Sequence, residues 1–266
     1  MGDAYTRRGI VGARARRRRV LVAGLALAGA MGPAVSGNYA PMTRDQALAV
    51  LAGAGGDQRP DLRNRDFRGQ DLSGVDFKGA DLFGTHLHGV PLKGAKLART
   101  NLDITILRGA DLEGADLRGA SIFGVVLVDA NLKGADLTGA RLIADLQRAN
   151  LDGAKLVQGR FGADMKNQPM GKLSTLMVSA KLRGADLTGT DLSGCDVRFA
   201  DFTAANLTDT DLSRCDLRGA DFTAADMTRT RLTGATLDGA KFHQIKGRDT
   251  LVGLDNAKGR DAAIFY

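Results

Sequence analysis

Large apolar residues recur at every fifth position over most of this chain. Between Ala180 and Phe242 they are Leu182, Leu187, Leu192, Val197, Phe202, Leu207, Leu212, Leu217, Phe222, Met227, Leu232, Leu237 and Phe242. Two residues before each stands a small one, Ala, Thr or Cys, and the remaining positions are mainly polar or Gly. A helix repeats every 3.6 residues and a strand every 2, so neither holds one residue in five on one side for so long. A short fixed repeat signals a solenoid, in which each unit buries its apolar side only against its neighbours. Four fives close a 20-residue square coil, with one strand-like side per five, and successive coils stack at about 4.8 Å. The bulky residue then points into the tube and the small residue fills the space beside it.

Like residues should therefore recur at 20, and they do. Leu182, Phe202, Phe222 and Phe242 form one column, Thr190, Thr210 and Thr230 a second, and Ala180, Ala200, Ala220 and Ala240 a third. An earlier run in the same register extends from Leu62 to Leu142, and then slips by one residue to Leu146, Leu151, Leu156 and Phe161, with Met165 as a further candidate centre. A four-residue step predicts one shortened corner within a continuous tube. Lys166 to Ser179 (KNQPMGKLSTLMVS) breaks the pattern, and Pro169 and Gly171 mark a turn. The expectation is an external loop over 166–179, with the tube resuming at Leu182.

The repeated A-[DN]-L-x-x motif, which covers roughly residues 60–245, resembles the pentapeptide-repeat family. The resemblance implies an all-β fold, a right-handed quadrilateral β-helix, and no shared activity. Some members imitate duplex DNA and bind topoisomerases, which makes a cytoplasmic DNA mimic the alternative to a scaffold.

The ends differ in composition. Thr43-Arg44-Asp45-Gln46 has the form of a capping box and predicts a short helix through Ala47, Leu48, Val50 and Leu51, ended by Gly53, Gly55 and Gly56. Residues 37–60 are thus expected to form a helical cap over the first coil, whose strand edges would otherwise be open. The tube itself is assigned to 61–245. The tail, 246–266, loses the five-residue pattern and is expected to lie as a short cover over the last coil, with apolar contributions from Ile264, Phe265 and Tyr266. Residues 1–36 carry seven Arg and one Asp, followed by an apolar run from Val20 to Val35 and small residues before Gly37. This is the pattern of an export signal peptide, with a short anchor or a basic arm as the alternatives. It places the protein in the periplasm or cell envelope, with membrane contact only through an uncleaved leader.

That leader also changes the reading of charge. The whole chain has 37 basic and 30 acidic residues, but the part after residue 36 has 30 and 29. Near-neutrality removes the support for nucleic-acid binding by net charge, and equally for a DNA mimic, which needs a markedly acidic surface.

Little of the composition suggests catalysis. His86 and His88 form an H-x-H pair, but both are expected on the outside, with Arg68 and Arg108 in neighbouring coils, so solvated imidazoles outweigh a metal site. Cys195 and Cys215 lie 20 apart and stack in the small-residue column, where two buried thiols are favoured over a bridge. Asp or Asn precedes most of the bulky residues, and a residue repeated along the whole tube serves the coil by bonding turn backbone. No P-loop, dinucleotide fingerprint or Ser/His/Asp arrangement appears, so no enzymatic role, catalytic residue, cofactor or metal is expected. The partner is expected to be a protein, with an end-to-end homodimer as one form. The candidate partner-binding residues are Pro169, Met170, Leu173, Leu176 and Met177, apolar groups in the 166–179 segment.

Overall fold

A computed structural model describes residues 39–55, 58–162 and 174–265. The expected leader, the candidate centre Met165 and the terminal Tyr266 lie outside the described residues. Residues from Asn38 onward form one compact unit. Among the described residues no helix is long and apolar enough to cross a membrane.

The period of five becomes a stack of coils. Each bulky residue donates its backbone N–H to the next coil and accepts a second bond that closes its own corner. At Phe202 the N–H donates to Asp221 O at 2.7 Å, and Ala205 N–H donates back to Phe202 O at 2.9 Å. The ladder is parallel, pairing Asp201 with Asp221 and Asp221 with Lys241. The bulky series and the small series are both buried: Leu182, Leu192, Phe202, Leu212 and Phe222 have no exposed surface, and Ala180, Ala200 and Ala220 have almost none. Rings in the Phe column stack almost parallel, Phe202 on Phe222 at 5.0 Å and Phe222 on Phe242 at 5.1 Å. Such pairs add about 0.5–1.5 kcal/mol beyond area burial. A buried Thr in the small position needs a bond for its hydroxyl. Thr190, Thr210 and Thr230 donate to Leu156 O, Leu187 O and Leu207 O in the coil before, at 2.6, 2.8 and 2.8 Å.

The Asp before each bulky residue has a local task. Its Oδ1 accepts the backbone N–H two residues on: Asp61 from Arg63, Asp71 from Ser73, Asp201 from Thr203 and Asp221 from Thr223, at 2.9–3.1 Å. This side-chain-to-backbone bond holds the chain as it enters each corner.

The one-residue slip after Leu142 is a shortened corner within a continuous tube. Strands β3 (Ser121–Val126) and β4 (Arg141–Asp145) pair in parallel, and Gly124 is passed over where the register moves from Phe123↔Ile143 to Val125↔Ala144.

At the N-terminal end, β1 (Ala40–Pro41) pairs with β2 (Arg65–Asp66). Helix α1 (Arg44–Gly53) follows β1, with Thr43 and Gln46 exchanging both capping-box bonds. Ala47 and Leu51 are buried, while Leu48 stays exposed.

Two expectations need correction. First, the coil resumes before Ser179: Leu176 bridges Asp145 and Asp196, Met177 is fully buried, and Thr175 Oγ1 bonds Leu142 O and Phe161 O at 3.0 and 2.9 Å. The broken spacing hid this, because the repeat re-enters with Thr-Leu-Met instead of Ala-Asp-Leu. Second, the C-terminal tail is itself a coil. Val252, Lys258 and Ile264 pair with Arg231, Thr236 and Lys241. Its period has lengthened to six: GRDTLV, GLDNAK, GRDAAI. Each six has a 3₁₀ turn, at Arg248–Thr250, Leu254–Asn256 and Arg260–Ala262, which absorbs the extra residue. On the first two sides the interior roles are also exchanged, while on the last Phe265 keeps the bulky position and stacks on Phe242 at 4.7 Å. Gly247, Gly253 and Gly259 occupy the bulky position, while Ile245 and Leu251 occupy the small one and pack on the core. Only Gly serves at the bulky position here: φ of Gly253 is +75°, and a Cβ there would collide with Thr233.

Phe222→Ala should lower unfolding free energy by about 3–5 kcal/mol in chemical denaturation, since it opens a cavity in a stacked column. Gly253→Val should unlock the last coil alone, detected as faster amide exchange after residue 245 with exchange around Leu187 unchanged.

Candidate interaction surface

A tube filled by its own side chains leaves binding to its outside. The four faces can be named by their first interior residues, Leu62, Phe67, Leu72 and Phe77. On each face the residues flanking the interior one point outward.

The groove on the Phe77 face shows how little chemistry is free. It is open, encloses about 520 Å³, and is lined by Asp76, Lys78, Lys96, Arg99, Asp116 and Arg118. Arg118 pairs with Asp116 at 2.6 Å, Lys96 lies 3.7 Å from Asp76, and Lys78 Nζ donates to Leu51 O at 2.9 Å. Asp116 is held below the usual carboxylate range, first of all by the Arg118 hydrogen bond. That stabilises the charged form and is the reverse of what a general acid at neutral pH requires.

Other carboxylates along the tube are in the same condition. Asp61 is lowered to about 2, chiefly by the Arg63 side chain, and Asp66 is lowered by Arg68. Among the described residues no group of three His, Cys, Asp or Glu could hold a metal ion. His86 is less exposed than its outward position suggested. The Tyr39 ring lies 5.4 Å from it, and Nδ1 is buried without a hydrogen-bond partner. Burial, then Arg68, lowers its pKa, so it stays neutral at pH 7. The covering Tyr comes from the segment ahead of the helix, and nothing in the repeat spacing announces that contact. Cys195 and Cys215 are both buried, and no disulfide joins them. Their Sγ atoms lie 3.2 Å from Phe161 O and 3.0 Å from Leu192 O. Burial pushes the Cys195 thiol well up, which keeps it protonated and unreactive.

The five candidate partner-binding residues separate. Pro169, Met170 and Leu173 fall outside the described residues. Met177 points into the tube and Leu176 stands on the Phe67 face, half-buried.

Apolar side chains do reach the outside elsewhere. Phe83 is exposed on the Leu62 face, Ile104 at the corner that follows it, and Phe199 is 62% exposed at a corner of the Phe67 face. Ile104 and Phe199 also occupy left-handed backbone, φ 61° and 57°, at a corner position where Gly is common. A β-branched residue in that conformation costs about 1–2 kcal/mol. Along the middle of the Phe67 face run Ile106, Val126, Val128, Leu176 and Val178, all partly exposed. In coils on either side of this strip the same two outward columns carry Asp then Arg: Asp66 and Arg68, Asp196 and Arg198, Asp216 and Arg218.

The depressed carboxylates fix the sign of the acid response. A group whose folded pKa is lowered stabilises the fold above its ordinary value and loses that contribution as pH falls toward the folded value. The thermal midpoint should soften slightly below about pH 6.5, where the unfolded chain protonates His86 and the folded one resists, and drop steeply between about 4 and 2, followed by circular dichroism. Native Cys195 should react with a disulfide reagent about a hundredfold slower than a free thiol, and at full rate after unfolding.

No curated protein sequence matches the chain. Among solved structures, HetL, a pentapeptide repeat protein involved in heterocyst differentiation regulation from the cyanobacterium Nostoc sp. strain PCC 7120, is 28% identical with a TM-score of 0.53. That alignment covers 84% of this chain and 99% of HetL. QnrB1, a plasmid-mediated fluoroquinolone resistance protein, is 16% identical over 70% of this chain and 88% of its own, with a TM-score of 0.45. The family model for pentapeptide repeats matches eight copies, over residues 59–89, 87–122, 105–142, 180–219 and 205–244. Those segments take in more than half of the chain, and with the coil they form they show that it belongs to the pentapeptide-repeat family.

Proposed function

We propose that this protein is a non-enzymatic scaffold, a rigid tube whose outer faces and corners dock a protein partner after export to the periplasm or cell envelope. The observation that carries this reading is the filled interior. Bulky and small residues occupy the axis from Leu62 to Phe242 with almost no exposed surface, and the grooves outside are open and lined by paired charges. Chemistry needs a recess that shifts a pKa toward its task, and none of the lowered carboxylates meets that need. Export rests on the basic and then apolar start of the sequence. The DNA-mimic alternative has no support from the surface. Duplex imitation requires rows of unpaired acid, whereas Arg63, Arg68, Arg118, Arg198 and Arg218 each neutralise the Asp two residues before.

The insertion near Pro169, Met170 and Leu173 remains the first segment to test for partner contact. A short Gly-Ser linker should replace 163–173 only, because Thr175 and Met177 belong to the tube. Cross-linking capture from envelope fractions with both forms should recover a protein that the shortened form loses; equal recovery would remove the insertion from the account. Mass spectrometry of the N-terminus from producing cells should find a start near Gly37, and an intact Met1 would contradict export. The purified protein should leave topoisomerase supercoiling unchanged at micromolar concentration.

A further inference from the structure

We propose that the Phe67 face is a self-complementary surface on which a second copy of this chain packs side by side, in parallel, about a two-fold axis running along the tube. The reasoning starts from the two outward columns of that face. One precedes the interior residue and the other follows it. A two-fold axis parallel to the tube keeps every coil level with its counterpart and reverses the strand direction across the interface. The preceding column of one copy therefore meets the following column of the other, coil by coil.

On this face most coil levels are their own complement under that operation; the exception is the level at which Ile106 would meet Arg108, while His86 would meet His88. Asp196 meets the partner copy's Arg198 and Asp216 meets its Arg218, so each level becomes a square of alternating charges in which the existing 2.8 and 2.6 Å pairs are shared across the interface. Val126 meets Val128, and Leu176 meets Val178, so these two levels of the apolar strip cover themselves. Between them Asp145, only 8% exposed and already bonded by Gln147 Nε2 at 3.2 Å, meets the second copy's Gln147 amide.

The antiparallel alternative fails on the same residues. It matches like column with like column and, centred on the Asp145 level, sets Arg108 against Arg198. The Leu72 face lacks the property even in the parallel arrangement: Asp111 would meet Glu113 and Lys181 would meet Arg183, like charges in both cases. Acid opposite base along a line gives register and direction, while the central apolar strip supplies burial. A single face of a narrow tube lies at the low end of interface sizes, below the ~1,200–2,000 Å² of standard complexes, so the association should depend on concentration.

Sedimentation equilibrium on the full chain tests this. The average mass should rise with protein concentration from 28.0 kDa toward twice that value. Val128→Glu, on the apolar strip, should weaken the dimer by at least about tenfold. Arg198→Asp places acid against Asp196 of the second copy and should weaken it by about tenfold. The double change Asp196→Arg with Arg198→Asp restores acid opposite base and should recover wild-type association to within about threefold. Circular dichroism melts of each variant check that the tube is intact, and Val128→Glu and Arg198→Asp are independent routes to the same answer. A chain that stays monomeric at all concentrations would overturn the proposal. So would a dimer equally strong in all variants, as an end-to-end pair would be, or a double swap no better than the single one.

Discussion

The structure depends on filling a narrow square interior with one large and one small side chain per side. A coil of four sides has no second layer to bury anything in, so each bulky residue can only sit above and below its counterparts in adjacent coils. This constraint explains the columns of like residues: a Phe stacks best on a Phe, as at 202, 222 and 242. It also explains why Thr and Cys in the small position turn their polar atoms onto a carbonyl, either of the preceding coil, as Thr190 and Cys195 do, or three residues back in the same coil, as Thr100 does. The last coil is informative because it breaks the assignment on two sides, where Gly247 and Gly253 take the bulky register and Ile245 and Leu251 the small one, and restores it on the last, where Phe265 stacks on Phe242 at 4.7 Å beside small Ala263.

Function follows by subtraction and then by position. Among the described residues the closed core leaves no interior recess, and many outward Asp residues are engaged with turn backbone or with Arg. Carboxylates held charged in this way contribute to the fold and to solubility, with the cost of ordering two side chains offset by bonds that also shape each corner. The features left over are the partly exposed apolar side chains. They lie on particular faces, and two of them, Ile104 and Phe199, are kept in backbone that strains them.

Much of this was legible in the sequence, and the omissions have physical causes. The register of five gave the columns, the interior and the shortened corner after Leu142, because steric filling repeats identically in every coil. It misplaced Leu176 and Met177, since re-entry after an insertion needs the backbone ladder and not the Ala-Asp-Leu wording. It missed the six-residue period of the tail, although Gly247, Gly253 and Gly259 with Asp249, Asp255 and Asp261 display it, because the apolar residues there had moved to the other interior position. It also missed Tyr39 over His86, a contact between segments with no shared period. The complementary levels of the Phe67 face were written in the sequence too, but they can be read only after residues 20, 19 and 31 apart are placed in one column.

The most direct test of the account is a distance measurement between neighbouring coils. With Cys195 and Cys215 replaced by Ala, nitroxide labels at Thr203→Cys and Thr223→Cys should sit on one face, one coil apart, and show strong dipolar broadening, because stacked strands lie about 4.8 Å apart. Labels at Thr203→Cys and Ser213→Cys, on opposite faces of the same tube, should show little. Equal broadening in the two pairs, or broadening only in the second, would contradict a coil of four fives and the filled axis that every functional conclusion rests on.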